Sequence, residues 1–153
     1  MNGIDSLQFT VAGIDDVPCL LTLYASLDQD PAAALPLASA RERFLRLQAW
    51  PGYRIFLARD PATDRVVGTY TLLVIEHLAH GGTPSAVVEN VVVDPGCQRQ
   101  GIGRRMMAHA VQQARAAGCY KLALSSNSRR AQAHAFYRSL GFSQHGISFL
   151  IEP

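Results

Sequence analysis

The stretch "VVVDPGCQRQGIGRRMMAHA", Val91 to Ala110, decides the fold. Its opening valines read as a buried strand. The chain then leaves through glycines and arginines, and Ile102, Met106, Ala110 and Ala114 follow at the i, i+4 spacing of a helix buried along one side. That helix is expected from about Gly101 to Ala117, closed by Gly118. At a helix start the backbone N–H groups point outward and carry partial positive charge, so they hold anions, and glycine lets the anion come close. Gln98 to Arg104 is therefore read as an anion cradle with Arg99 and Arg104 at its rim. A tight strand-to-helix turn needs the same glycines, so the loop by itself supports both readings.

Two familiar anion loops fail here. A triphosphate-binding loop needs Lys and Ser/Thr after its second glycine, and Ile102 stands where the lysine belongs. A dinucleotide fingerprint needs a third glycine where Met106 lies, and "LALSSN" lacks the acid expected about twenty residues on.

The 153 residues suit a single domain, residues 1–153, and 48% apolar against 17% charged residues argue against disorder. No apolar run reaches the ~20 residues of a membrane span. The start "MNGIDSLQFT" lacks a signal-peptide pattern, so a soluble, cytoplasmic protein without a membrane partner is expected. The net charge of +2 combines thirteen arginines with one lysine, Lys121. No basic stripe with interleaved aromatics marks a nucleic-acid partner. Cys19, Cys97 and Cys119 are odd in number and far apart, which gives neither a disulfide framework nor a metal pair. Cys19 and Cys119 read as small core residues.

Along the rest of the chain, "LQFTVAG" alternates as a strand and "IDDVPCLLTLYASL" has helical spacing, with Asp15 and Asp16 in its first turn. A second helix starts near "ASARERFLRLQAW", with Ser39 as cap. "YRIFLARD", "RVVGTYTLLVIEHL" and "AVVENVVVD" are three successive strands, "CYKLALSS" another, "RRAQAHAFYRSL" a helix closed by Gly141, and "ISFLIE" a last strand. The order argues for an α/β (α+β) fold with a mixed sheet covered by helices on both faces. His77 and His80 lack a third ligand nearby and HExxH is absent, so no metal is expected. His109 and His145 read as solvent-facing.

"Q-R-Q-G-I-G" after "V-V-V-D-P", then the strand "KLALSSN" and "A-F-Y-R-S-L-G-F", resemble the central motifs of the GNAT superfamily of acyl-CoA-dependent N-acetyltransferases. The glycine motif matches at Gln98, Gly101 and Gly103, and the tyrosine helix at Tyr137, Gly141 and Phe142. The match is strong from about Ala86 to Phe142. The resemblance implies a mostly antiparallel sheet of six to seven strands with a splay between the central strands. It further implies acetyl-CoA as cosubstrate, lying between the fourth strand and "CYKLALSS", and dimers that "ISFLIEP" is able to pair as an edge.

The resemblance also assigns roles. The Val91 N–H faces the thioester carbonyl and Val93 the pantetheine amides. The N–H groups of Gln98, Arg99, Gln100, Gly101, Ile102, Gly103 and Arg104 take the pyrophosphate, and Asn127 holds the pantetheine arm or caps the next helix. Glu89 is the leading base for the acceptor amine, or else a surface carboxylate paired to an arginine, with Glu76 and His77 in reserve. Tyr137 reprotonates the departing thiolate, unless it is a core tyrosine. The expected activity is transfer of acetyl to a primary amine of a small molecule, less readily a peptide; the alternative is an idle acyl-CoA-binding sensor of the same fold. Asp28, Asp30, Glu76 and Glu89 suit a cationic acceptor.

Overall fold

The alternating segments become strands β1 (Gln8–Val11), β2 (Tyr53–Asp60), β3 (Arg65–Ile75) and β4 (Ser85–Val93), each antiparallel to the one before. A computed structural model describes residues 6–27 and 34–153; Asp28 and Asp30 lie outside the described residues. The chain separates into two units, Met1–Ala123 and Leu124–Pro153. A fifth strand, β5 (Leu122–Leu124), at the junction, completes a sheet in the order β1-β2-β3-β4-β5. Tyr120 N–H donates to Pro84 O and Ala86 N–H to Lys121 O. Both partners advance together along the chain, so this segment runs parallel to β4.

Helices α1 (Val17–Tyr24) and α2 (Leu37–Gln48) cover one face of the sheet, and α3 (Ile102–Ala116) covers the other. Under α1 and α2, Val17, Leu20, Ala40 and Phe44 pack on Ile55 and Leu57 of β2. The α1 start is fixed by Asp16, which accepts from the Gly13 N–H (2.8 Å) and pairs with Arg59. Acidic residues do sit at this start, but as a 3₁₀ turn, Ile14–Asp16, preceding the α-helix. On the opposite face Met106 and Met107 are fully buried, and α3 approaches β3 at Gly68. A Cβ there would meet Met106 Sδ at 2.7 Å and Val92 O at 3.0 Å, so glycine sets the helix–sheet spacing.

Three expectations are corrected. The described residues form five strands, not six to seven, because Ile147–Glu152 makes no strand. Ile147, Phe149, Leu150 and Ile151 are 81%, 94%, 88% and 87% exposed. Alternation supplies side-chain faces but no ladder partners, and a strand forms only where an edge is at hand. Helix α2 begins at Leu37 after Pro36, so Ser39 lies inside its first turn and not at the cap. Cys19 and Cys119 are only half-buried, so neither belongs to the core.

The second unit holds α4 (Ala131–Ser139). Its end explains the spacing of the tyrosine motif. Gly141, at φ +90°, donates its N–H to Arg138 O, and Phe142 donates to Tyr137 O. This pair of bonds is a Schellman close, which favours glycine at its left-handed position. The Tyr137 and Phe142 rings meet at 5.8 Å as its apolar clasp.

Candidate active site

The site starts with an irregularity in β4. Leu72 pairs with Val88 and Thr71 with Glu89, but Thr69 pairs with Val92. Two steps along β3 are therefore matched by three along β4, which is a β-bulge. Its pivot is Asn90, with φ 51°, a left-handed conformation that asparagine tolerates better than most residues. Register partners share a sheet face. Val88 thus joins Leu72 on the α3 face, whereas Val92 joins Thr69 on the α1 face. The bulge reverses the alternation and leaves Glu89 and Asn90 exposed, with Val91 and Val93 half-buried.

The strand ends at Asp94, which holds the loop entrance. Its backbone N–H donates to Val67 O, Oδ1 accepts the Gly96 N–H (2.8 Å), and Oδ2 takes Arg65 Nη2 (2.6 Å). Beyond it the backbone turns left-handed twice, at Arg99 (φ 60°) and Gly101 (φ 81°), the cap of α3. Such alternation turns successive N–H groups into one concavity. The N–H groups of Gly101, Ile102 and Gly103 open the helix, where no preceding turn supplies an acceptor. A Cβ on Gly101 would meet nothing within 4 Å, so the space over the loop is open. Gln98, Arg99, Gln100 and Gly101 are exposed, Ile102 is buried beneath them, and Gln98 Nε2 reaches back to Val93 O (3.5 Å). Glu89, Val91, Val93 and Gln98–Arg104 thus lie on one strand–loop–helix segment of the first unit.

Asn127 and Tyr137 belong to the second unit. The Asn127 side chain caps a turn: Oδ1 accepts the Arg129 N–H (2.9 Å), and its carbonyl takes the Arg130 N–H and faces His134 Nε2 (2.9 Å). Tyr137 is half-buried between Phe136 and Phe142. Burial pushes its phenol pKa up, and Arg130 opposes that shift. Of the reserve bases, Glu76 is exposed and His77 is engaged with Ser85 Oγ (2.8 Å).

His109 corrects another expectation. It does not face solvent freely: its Nδ1 lies 2.6 Å from Tyr70 Oη, and its ring stacks on Phe9 at 4.2 Å. The position falls on the sheet-facing flank of α3, between Met106 and Gln113. Two further features escape sequence reading, the Asn90 bulge and a buried pair of hydroxyls at Tyr24 and Thr71. An asparagine in a strand is the one sequence hint of the bulge. The hydroxyl pair joins distant segments and leaves no local signal.

A bulged strand that presents a carboxylate thus runs into an open N–H cradle at the start of α3. The chain belongs to the acetyltransferase (GNAT) family, whose sequence profile matches residues 21–142. It is 29% identical over 146 residues to a glucosamine 6-phosphate N-acetyltransferase of Trypanosoma brucei brucei, covering 95% of each chain. An aminoalkylphosphonate N-acetyltransferase of Salmonella typhimurium is 37% identical over 84 residues, 55% of this chain and 54% of that one. Among solved structures, an inferred acetyltransferase from Agrobacterium tumefaciens str. C58 superposes with a TM-score of 0.88 at 36% identity, covering 95% of this chain and 99% of the other. The protein is accordingly an acetyl-CoA-dependent N-acetyltransferase. Its cradle fits the cosubstrate, because the left-handed Gly101 leaves open the space that a bound pyrophosphate needs.

Proposed function

We propose that this protein, acting in the cytoplasm, moves the acetyl group of acetyl-CoA to a primary amine of a small molecule by direct attack on the thioester. The observation that carries the reading is the continuity of Glu89, the Asn90 bulge, Val91 and the Gly101 cradle along one segment. Acetyl-CoA supplies an acyl group already activated as a thioester. An alkylammonium has a pKa of about 10.4 and must lose a proton before it attacks. The exposed Glu89 carboxylate accepts that proton. The Val91 N–H, at the bulge, donates to the carbonyl oxygen as charge develops on it. Val93 pairs with the pantetheine amides as an added strand does. The N–H groups from Gln98 to Arg104 hold the pyrophosphate, and Arg99 supplies charge beside them. Asn127 steadies the pantetheine arm through its side-chain amide N–H, since Oδ1 is occupied. Tyr137 donates its proton to the departing sulfur; burial keeps the phenol protonated and ready to give.

The two relatives' names describe small amines that carry a phosphorus oxyanion. Such acceptors suit an arginine-rich chain and are the first to test. A homodimer is part of the proposal, supported by the exposed apolar run at Ile147–Ile151, which a second copy would cover.

Thermal melts with acetyl-CoA, CoA, ATP and NAD test the cradle. A hundredfold excess over Kd stabilises by about 2.7 kcal/mol, which is a rise of roughly 5–10 °C for a chain of this size. A rise with acetyl-CoA and CoA alone supports the reading. No rise, or an equal one with ATP, contradicts it.

A further inference from the structure

The α1 face of the sheet carries two hydroxyls that the scheme above leaves unused. Tyr24 is the last residue of α1, and its side chain lies beside Thr69 and Thr71 of β3, whose hydroxyls partly offset the effect of burial on the phenol. Thr69 Oγ1 is committed to Phe56 O at 2.9 Å. Thr71 is 1% exposed, and neither Thr71 Oγ1 nor Tyr24 Oη makes a hydrogen bond of good geometry. Each hydroxyl thus has little beyond the other to bond to, and buried hydroxyls so weakly satisfied are costly and uncommon.

Their address supplies the function. Thr71 is the register partner of Glu89, directly across β3 and β4, so both side chains leave the sheet on the α1 face, one residue before the bulge. Three oxygen-bearing side chains therefore share the α1 face: the buried Tyr24 phenol and Thr71 hydroxyl, and the exposed Glu89 carboxylate on the neighbouring strand. A primary alkylammonium carries three N–H donors and no acceptor. We infer that Tyr24 and Thr71 form, with Glu89, the seat for the acceptor's primary amine, and so select primary over secondary amines. This deepens the proposed function and rests on it.

Once Glu89 has taken one proton, the lone pair left on nitrogen faces the Glu89 carboxyl, so the neutral amine releases the hydroxyl oxygens and turns about its C–N bond before that lone pair attacks the thioester carbonyl. Both hydroxyls are closed from solvent in this structure, so the acceptor has to displace what covers them. The seat is thus built for the acceptor at the expense of the empty protein.

That trade separates a seat from a merely structural pair. Thiol release from acetyl-CoA is followed with glucosamine 6-phosphate and with its N-methyl derivative, for the wild type, Tyr24→Phe, Thr71→Val and Thr71→Ser. The seat predicts that Tyr24→Phe and Thr71→Val each raise the acceptor KM about tenfold and reduce the preference for the primary amine. The KM for acetyl-CoA stays unchanged, melting without acceptor stays level or rises, and Thr71→Ser retains wild-type kinetics. An active wild type with acceptor KM and amine preference unchanged in Tyr24→Phe and Thr71→Val overturns the seat alone. Equal loss in Thr71→Ser and Thr71→Val, or lower melting with unchanged preference, also overturns it in favour of a structural role. A wild type that releases no thiol with any primary amine overturns the proposed function and the seat together.

Discussion

Tyr70 Oη and His109 Nδ1 stand 2.6 Å apart, joining the centre of β3 to α3. Tyr70 is fully buried and burial raises its pKa, so the phenol keeps its proton and donates it to Nδ1. On the other side of the ring, His109 Nε2 stands 3.3 Å from the Gln113 side-chain amide nitrogen. Phe9 stacks on the ring and Phe56 meets it edge-on at 5.1 Å, an apolar wall that pushes the His109 pKa down.

A pH dependence follows, with its sign fixed. As pH falls through about 6.5, the unfolded chain takes up the histidine proton before the folded one does. Stability is therefore lost below that pH and kept above it. Melting between pH 7.5 and pH 5 is expected to fall for the wild type and to fall less for His109→Gln. Equal slopes would remove His109 as the cause.

Asp94 ties the end of β4 to the cradle through Gly96 and Arg65. Asp94→Ala frees both and loosens the loop. It is expected to raise the acetyl-CoA Kd by about fivefold to tenfold, measured by calorimetry, with the kcat on a given amine little changed.

Gly101 combines a left-handed backbone with open space over its missing Cβ. Gly101→Val costs about 1–2 kcal/mol of backbone strain, seen as melting lower by a few degrees. It also puts a side chain where the pyrophosphate is to lie. CoA binding is expected to weaken far more than stability does, and equal effects on both would argue against the cradle.

Glu89→Gln is expected to lower kcat/KM by roughly 10²–10⁴. The deficit narrows towards high pH, where the amine loses its proton unaided. Tyr137→Phe is expected to lower kcat at all pH values, because the phenol's raised pKa keeps it protonated through the working range. A pH-independent deficit in Glu89→Gln would assign the base elsewhere.

The legible parts of this molecule are those whose physics is local. Gly101 and the i, i+4 row from Ile102 to Ala114 reveal the cradle and α3, because one helix start needs both. Tyr137, Gly141 and Phe142 are legible as a unit because a Schellman close fixes their spacing. The losses lie where distant segments decide. Ile147–Glu152 alternates like a strand but has no ladder beside it. The bulge at Asn90 is one extra residue against β3, which only the register of a partner strand reveals. His109 sits at a flank of α3, where a half-turn separates solvent from Tyr70, and Tyr24 meets Thr71 only when α1 lies on β3. The Glu89 carboxylate is legible before the valines, but its position opposite the buried Thr71 is set only by the pairing of β3 with β4.

The central claim is transfer of acetyl to an amine, and amine-dependent thiol release tests it most directly. Purified protein is incubated with acetyl-CoA and either glucosamine 6-phosphate or an aminoalkylphosphonate, and both free CoA and the amine product are quantified by mass spectrometry. The account predicts equimolar CoA and N-acetylated amine, saturable in the amine and strongly reduced in Glu89→Gln and Tyr137→Phe. Binding of acetyl-CoA without amine-dependent release, across a broad panel of primary amines, would contradict it and leave the protein as an acyl-CoA sensor.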